Sequence, residues 1–547
     1  MNDVANMLQE FVGREMKSPP QQQNPFNFME AVKTTLADVP SVTENGAVGY
    51  KTTGKALLDI NFQISSLRQK TPMEICKMFD AAYYENPLLA WKWLFYLRDI
   101  RGGQGERRSF RIILEHMADI RPKETAAVIP FIAEYGRYDD IWILLKTPLK
   151  PLVVQLISHQ LTTDLVAYQN DKSLSLLAKW LPSRNASSKT TREYAQIIID
   201  ALGTDVRTYC KTLSMLRERL RITEVYMSSN RWTSIDYNAV PSRANLRYNN
   251  AFLKHDEERR RAFLSDLEQG KEGVKINAGT LYPHDIVHKY GVTHWDSPGQ
   301  DATLEALWKA LPDTVEGAAN IMVVADGSGS MSQYVDLNSR VSALEVANAL
   351  AIYFAERCSG VYKDNYITFS EHPQYVSFKN AATLYKKIRI ALQHCEVANT
   401  NIEAVFDLIL ETATKNHLVQ DQLPKSILII SDMEFDGCAV ANPIRGSRYG
   451  HRIQTTLFAA IRKKYQDAGY KMPRLVFWNV ASRTGTIPVR ENDMGVALVS
   501  GFSVNTVKMV MSDKLDPYEC LLEQINSERY QPIGDAISEV RNGGDPQ

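Results

Sequence analysis

Near residue 300 the hydrophobic pattern of this 547-residue chain changes period. That change constrains the fold more than any other feature. Upstream, apolar residues recur at helical spacing. In "TPMEICKMFDAAYYENP" a Thr cap and a Pro in the first turn precede Ile75, Phe79, Ala82 and Tyr83, which stand at i, i+4, i+7 and i+8. "PLLAWKWLFYLRDIRGG" repeats the pattern and stops at Gly102-Gly103. Further helices are predicted at 173–181, 190–202, 205–216, 249–268 and 283–290, and no strand is expected before 300. Downstream, short apolar runs alternate with amphipathic stretches. "NIMVVAD" (320–326), "DNYITFS" (364–370), "SILIISD" (426–432), "RLVFWNV" (474–480) and "VALVSGF" (496–502) read as strands. Strands that are apolar along their whole length and separated by helices imply a mainly parallel sheet covered on both faces.

The expectation is therefore a multidomain chain. Residues 1–50, rich in Gln, Pro, Asn and Thr, read as a flexible arm with one short helix at 2–12. Residues 51–300 read as an all-α helical-repeat solenoid, though with no clean fixed period. Residues 317–535 read as a doubly wound α/β domain, and 536–547 as a tail. No apolar run reaches the ~18 residues of a membrane span. The N-terminus has no apolar signal core. The six cysteines form no Cys-x-x-Cys pair or Cys/His cluster. Reduced thiols in a cytoplasmic protein are expected, and structural zinc is not.

The chain is neutral overall, but residues 51–250 carry 29 Lys/Arg against 20 Asp/Glu, a net +9. That excess permits an anionic partner for the helical part. Arg98, Arg101, Arg107, Arg108, Arg111, Lys179, Arg184, Lys189, Arg192, Arg231, Arg243 and Arg247 are the candidate phosphate contacts, with Tyr237 and Tyr248 interleaved as stacking surfaces. Each could equally serve an internal ion pair. Arg98 beside Asp99, and Arg137 near Asp139 and Asp140, are the clearest cases. Arg184 and Lys189 lie in the polar loop "PSRNASSKT", which has no large apolar anchor.

The first strand of the α/β part ends in "IMVVADGSGSM". In an open parallel sheet, ligands bind beyond the carboxyl ends of strands. Asp326, Ser328 and Ser330 lie there. Asp432 ends another apolar strand, and Thr400 lies in the polar loop "EVANTNIEA". Two carboxylates and three hydroxyls form a hard-oxygen set suited to Mg²⁺ or Mn²⁺. A plain Asp–Ser turn and a serine nucleophile are the alternatives. The second lacks a centred Gly-x-Ser-x-Gly elbow, and no motif ties a histidine to the turn. There is no Walker loop, and "RDIRGGQGERR" joins two helices rather than a strand and a helix.

"DGSGS", Thr400 and Asp432, in that order on those elements, resemble the metal-ion-dependent adhesion site of von Willebrand factor A domains. The resemblance implies that Asp326, Ser328, Ser330, Thr400 and Asp432 hold the ion and that a partner's acidic residue completes its shell. Many members of that family have glycine before the Thr and after the last Asp; here Asn399 and Met433 stand there. The helical part adds "WLFYLRDIRGGQGERR" (93–108), "IPFIAEYGRYDDIWILL" (129–145) and "LLAKWLPSRNASSKTTREYA" (176–195), which look like helix-turns of the telomerase–Ro–vault (TROVE) module. A helical ring followed by a von Willebrand A domain is the plan of the Ro autoantigen. "ITEVYMSSNRWTSIDYNAVPSRANLRYNNAF" and "ILIISDMEF" look closer to an uncharacterised family of plant, bacterial and phage proteins that shares this plan. The Ro resemblance implies a non-enzymatic protein that binds small noncoding or misfolded RNA. The alternative is a protein-interaction adaptor whose metal site grips a partner's carboxylate.

Overall fold

The computed structural model describes residues 41–44, 48–291, 299–315, 320–336, 339–369, 373–395, 402–435, 457–488, 495–512, 514 and 516–543. They fall into two compact units, each assembled from separate stretches of chain. One comprises 87–277 with 526–543, and the other 41–86 with 278–525. One unit is helical and the other is α/β, so the multidomain layout holds. The units are not the consecutive blocks 51–300 and 317–535, however. The reason lies in burial partners far apart in sequence, described below.

The helical unit is organised by the helix Pro87–Arg98. Every residue from Ala90 to Arg98 is buried, so this helix is surrounded rather than laid on a surface. Trp91, Trp93, Phe95 and Tyr96 fill the space around it. Arg108–Ile120 and Pro122–Val128 follow, the second started by Pro at a position where its missing N–H costs nothing. Lys150–Gln169, Lys189–Ala201 and Val206–Arg219 come next, the last two capped by Ser188 and Asp205. The single helix expected at 249–268 is two, Ser242–His255 and Glu257–Glu268. The break is at Asp256, whose backbone leaves the helical region and whose carboxylate accepts from Tyr237 and Arg259. The tail expected from 536 onward belongs to the helix Gln531–Asn542, which packs against Pro87–Arg98 and Pro122–Val128. Its Ile533 and Ile537 are fully buried.

The α/β unit contains a six-stranded sheet. In chain order its strands are β3 (Ile321–Asp326), β4 (Asn365–Phe369), β5 (Gln374–Ser377), β6 (Ser426–Ser431), β7 (Arg474–Asn479) and β8 (Val496–Ser500). They lie in the order β5-β4-β3-β6-β7-β8. Neighbours are parallel except β5, which returns antiparallel to β4 as an edge strand that the sequence reading did not include. Residues 427–431 of β6, 475–479 of β7 and all of β8 are buried, so both faces of the sheet are covered there. The helix Ala343–Arg357, started by a Ser342/Glu345 capping box, packs on β3, β4 and β6 and is buried along most of its length.

Residues 51–86, expected to open the helical part, belong instead to this unit. The helix Ala56–Phe62 packs on β8. Beyond it the chain crosses the carboxyl ends of β7 and β8. Asn479 donates to the Phe62 carbonyl at 2.8 Å, and the Ser65 amide donates to Ser500 Oγ at 3.1 Å. Part of the expected arm is also ordered structure. Strands β1 (Ser41–Val42) and β2 (Val48–Gly49) form a small antiparallel ribbon. The helix expected at 2–12 lies outside the described residues. Among the described residues, no helix is long and apolar enough to cross a membrane.

Candidate metal centre and basic surface

β3 and β6 are adjacent, parallel and in register, with Ala325 opposite Ile430. Asp326 and Asp432 therefore arrive at the same edge of the sheet. Both are about 1% exposed. Asp326 Oδ1 accepts from the Ser328 amide at 2.9 Å, and Oδ2 accepts from Ser431 Oγ at 2.7 Å. The Ser328 and Ser330 hydroxyls are 3.0 Å apart. Asp432 Oδ1 accepts from the Glu434 amide at 3.2 Å, whereas its Oδ2 is buried and makes no hydrogen bond among the described residues. Arg483 Nη2 lies 3.5 Å from that oxygen.

Burial, and then the neighbouring Asp432 charge, push the Asp326 carboxyl up to about 7. Burial also raises Asp432, partly offset by the Glu434 amide and the Ser330 hydroxyl. Two carboxylates that resist ionisation beside each other, with one oxygen unsatisfied and two hydroxyls at hand, match what a hard divalent ion requires of its donors. Among the described residues no three His, Cys, Asp or Glu side chains cluster to hold a metal ion, so hydroxyls would have to complete any donor set here. Thr400 lies outside the described residues.

Three further residues contribute here, of which only Met433 stood out in the sequence. Ser431, one residue before Asp432, orients Asp326. Met433 has φ +64°, a left-handed conformation costly for a bulky side chain. This is the position where the von Willebrand A family often has glycine, so the backbone turn is kept without the residue that makes it easy. Glu434 is fully buried and accepts from the Arg483 and Thr484 amides at 2.9 Å each and from the Glu44 amide at 3.0 Å. Its oxygens organise the segment after β7 and are not spare ligands. The only signal for it in the sequence was its place in "SDMEF".

The basic candidates of the helical unit separate into internal and exposed groups. Arg98 is buried and held by Asp140 through Nε and Nη2, at 2.8 and 2.7 Å, so it is not a phosphate contact. Its partner is Asp140 rather than the adjacent Asp99. Arg111 shares Asp140 and also reaches Asp139, and Arg137 pairs with Asp139 and lies over the Trp180 ring. Gly136 is required because a Cβ there would meet Asp140 Oδ2 at 2.6 Å. "GRYDD" is thus an internal ion-pair hub. Arg192 donates to the Ala186 and Ser187 carbonyls, and Arg184 donates to Gln196. These two are half-buried and shape the loop "PSRNASSKT". Arg231 is exposed but gripped by both oxygens of Glu218. Tyr237 is buried and bonded to Asp256, so it offers no stacking face. Arg101, Arg107, Arg108, Lys189, Arg243 and Arg247 are exposed, and Lys179 is half-buried beside Trp180. Arg247 lies over the half-buried Tyr248 ring.

Asp99, in "RDIRGGQG", is fully buried. It takes Arg529 as an ion pair and Tyr530 Oη at 3.0 Å. A side chain at Gly102 would collide with Arg529, and one at Gly103 with the Tyr96 carbonyl. The glycines therefore fit the loop to protein, not to a phosphate.

By architecture the α/β unit is an open, mainly parallel sheet with its candidate site at the carboxyl ends of two central strands. Residues 320–538 match the model of a domain of unknown function, DUF7788, and residues 43–135 and 186–321 match that of another, DUF2828. Over 536 residues the chain is 29% identical to an uncharacterized protein of Acanthamoeba polyphaga mimivirus, covering 90% of this chain and 88% of that protein. None of these descriptions assigns an activity.

Proposed function

We propose that this chain is a non-enzymatic binding protein whose α/β unit, von Willebrand A-like, holds Mg²⁺ or Mn²⁺ at the ends of β3 and β6. The observation that carries the reading is Asp432 Oδ2, a buried carboxylate oxygen that makes no hydrogen bond among the described residues, beside a second buried carboxylate. Leaving such an atom unsatisfied is costly, and a cation between the two aspartates removes the cost. Asp326, Ser328, Ser330 and Asp432 hold the ion in this reading, with Thr400 adding a hydroxyl. An acidic group from a protein partner completes the shell, which makes the unit an adaptor.

The test is thermal unfolding with EDTA and with excess Mg²⁺. Linkage predicts a rise in melting temperature on the order of a few °C for the wild type and none for Asp326→Ala. A wild-type curve indifferent to both additions would return "DGSGS" to a turn.

A second reading, RNA binding in the manner of Ro by a TROVE-like helical solenoid, is favoured by a separate observation. Arg101, Arg107, Arg108, Lys189, Arg243 and Arg247 are exposed on the helical unit. Phosphate neutralisation needs cations so placed. The protein is then cytoplasmic, and the two binding activities reside in different units.

A further inference from the structure

Arg483 faces two carboxylates. Its Nε and Nη2 grip both oxygens of Glu44, at 3.1 and 2.7 Å, while Nη2 is 3.5 Å from Asp432 Oδ2. Arg483 is 17% exposed and Glu44 50%. Glu44 is presented by the segment 41–44, which is pinned to the α/β unit beside the candidate site. Thr43 Oγ donates to the Phe435 carbonyl at 2.5 Å, the Glu44 amide donates to Glu434 at 3.0 Å, and Ser41 Oγ meets Thr486 Oγ at 2.8 Å. Downstream, Tyr50 exchanges two backbone hydrogen bonds with Ile487, each 2.8 Å.

We propose that Glu44 is a positioning residue for the cation site: by holding the Arg483 guanidinium, it keeps that charge from closing onto Asp432 Oδ2, the oxygen a divalent ion needs. The inference rests on the cation reading above. Guanidinium does not lose its proton in proteins, so Arg483 has to be compensated by one carboxylate or the other. A charge-assisted hydrogen bond forms at roughly 2.7–2.9 Å, so a shift of less than about 1 Å would carry Nη2 from its present distance into a bond with Oδ2. Arg483 and a divalent ion would then compete for one oxygen, with like charges in near contact. The site and the segment 41–44 are coupled as a result. A partner that draws Glu44 away installs an internal cation where the ion binds.

Mn²⁺ binding to the full chain, followed by the paramagnetic signal of free Mn²⁺, tests this with Glu44→Gln, Arg483→Gln and the double variant. Glu44→Gln is expected to weaken binding on the order of tenfold, and Arg483→Gln to tighten it. The double variant should bind like Arg483→Gln, because without the competitor Glu44 has nothing to restrain. Wild-type affinity in Glu44→Gln, or a double variant as weak as Glu44→Gln alone, overturns the inference while leaving the cation reading standing. Absence of Mn²⁺ binding in all four proteins overturns both.

Discussion

Three buried carboxylates in this protein are stabilised in three ways. Asp140 is surrounded by the Arg98 and Arg111 guanidinium groups and the Arg137 amide. Glu434 is surrounded by backbone amides and hydroxyls. Asp432 has one oxygen satisfied by an amide, and among the described residues the other makes no hydrogen bond. The first two are closed structural hubs, and only the third has capacity for a ligand. A fourth carboxylate, Glu345, shows how pH enters. It accepts from the Ser342 amide in its capping box and meets His288 Nδ1 at 2.9 Å. Hydrogen bonding to Glu345 raises His288 above its usual range; Glu345 is pulled down against its own burial by His288 and Ser342. The signs fix the window. The His288 contribution is complete below pH 6.5 and is lost as pH rises through its raised pKa. The Glu345 contribution is present above pH 4.5 and is lost as pH falls through its lowered pKa. Stability owed to the pair is expected to peak between pH 4.5 and 6.5; in His288→Gln the loss on the alkaline side should disappear, while the share of the acid-side loss that Ser342 causes remains. Denaturant unfolding across pH 4–8 measures it, and identical profiles for the two proteins would sink the assignment.

At the scale of elements, the helix Pro87–Arg98 depends on a segment more than 400 residues later in the chain. The loop after it folds back so that the Gln104 and Glu106 amides bond the Tyr96 and Leu97 carbonyls. Asp99 then receives Arg529 and Tyr530, and Tyr135 Oη donates to the Arg529 carbonyl. Breaking a buried ion pair by removing one partner typically costs 3–5 kcal/mol. Arg529→Met is expected to cost about 2–3 kcal/mol, toward the lower side because the guanidinium is a third exposed and Tyr530 still donates to Asp99. Urea unfolding followed by tryptophan fluorescence reads this directly, since Trp91 and Trp93 lie in the affected helix. A change under 1 kcal/mol would mean that the segment 526–530 is not what clamps the loop.

Across the whole molecule, function is proposed to divide between the units, and the helical unit's share rests on charge. RNA affinity of the full chain should fall steeply with salt, because each neutralised phosphate releases a counterion. Lys189→Glu combined with Arg247→Glu should weaken binding across sequences and lower the salt slope by about 1 per lost phosphate contact. Filter binding at several salt concentrations measures both. An affinity that is absent or indifferent to salt leaves the adaptor reading alone. The sequence by itself determined the two element types, the five parallel strands and the meeting of Asp326 with Asp432. Hydrophobic period reports local burial, and an open α/β sheet brings the carboxyl ends of its strands to one edge. It did not determine which stretches share a core, or which arginines are spent internally. Residues 56–68 join the sheet at β7 and β8, and 526–543 join the helix Pro87–Arg98, through partners up to 435 positions apart. Periodicity carries no trace of such a partner. The same holds for the partner of Arg98: an internal pair was legible, but with the adjacent Asp99, and folding brings Asp140 against it instead. Only the tertiary structure decided these assignments, because a buried charge is defined by what faces it, and what faces it comes from elsewhere in the chain.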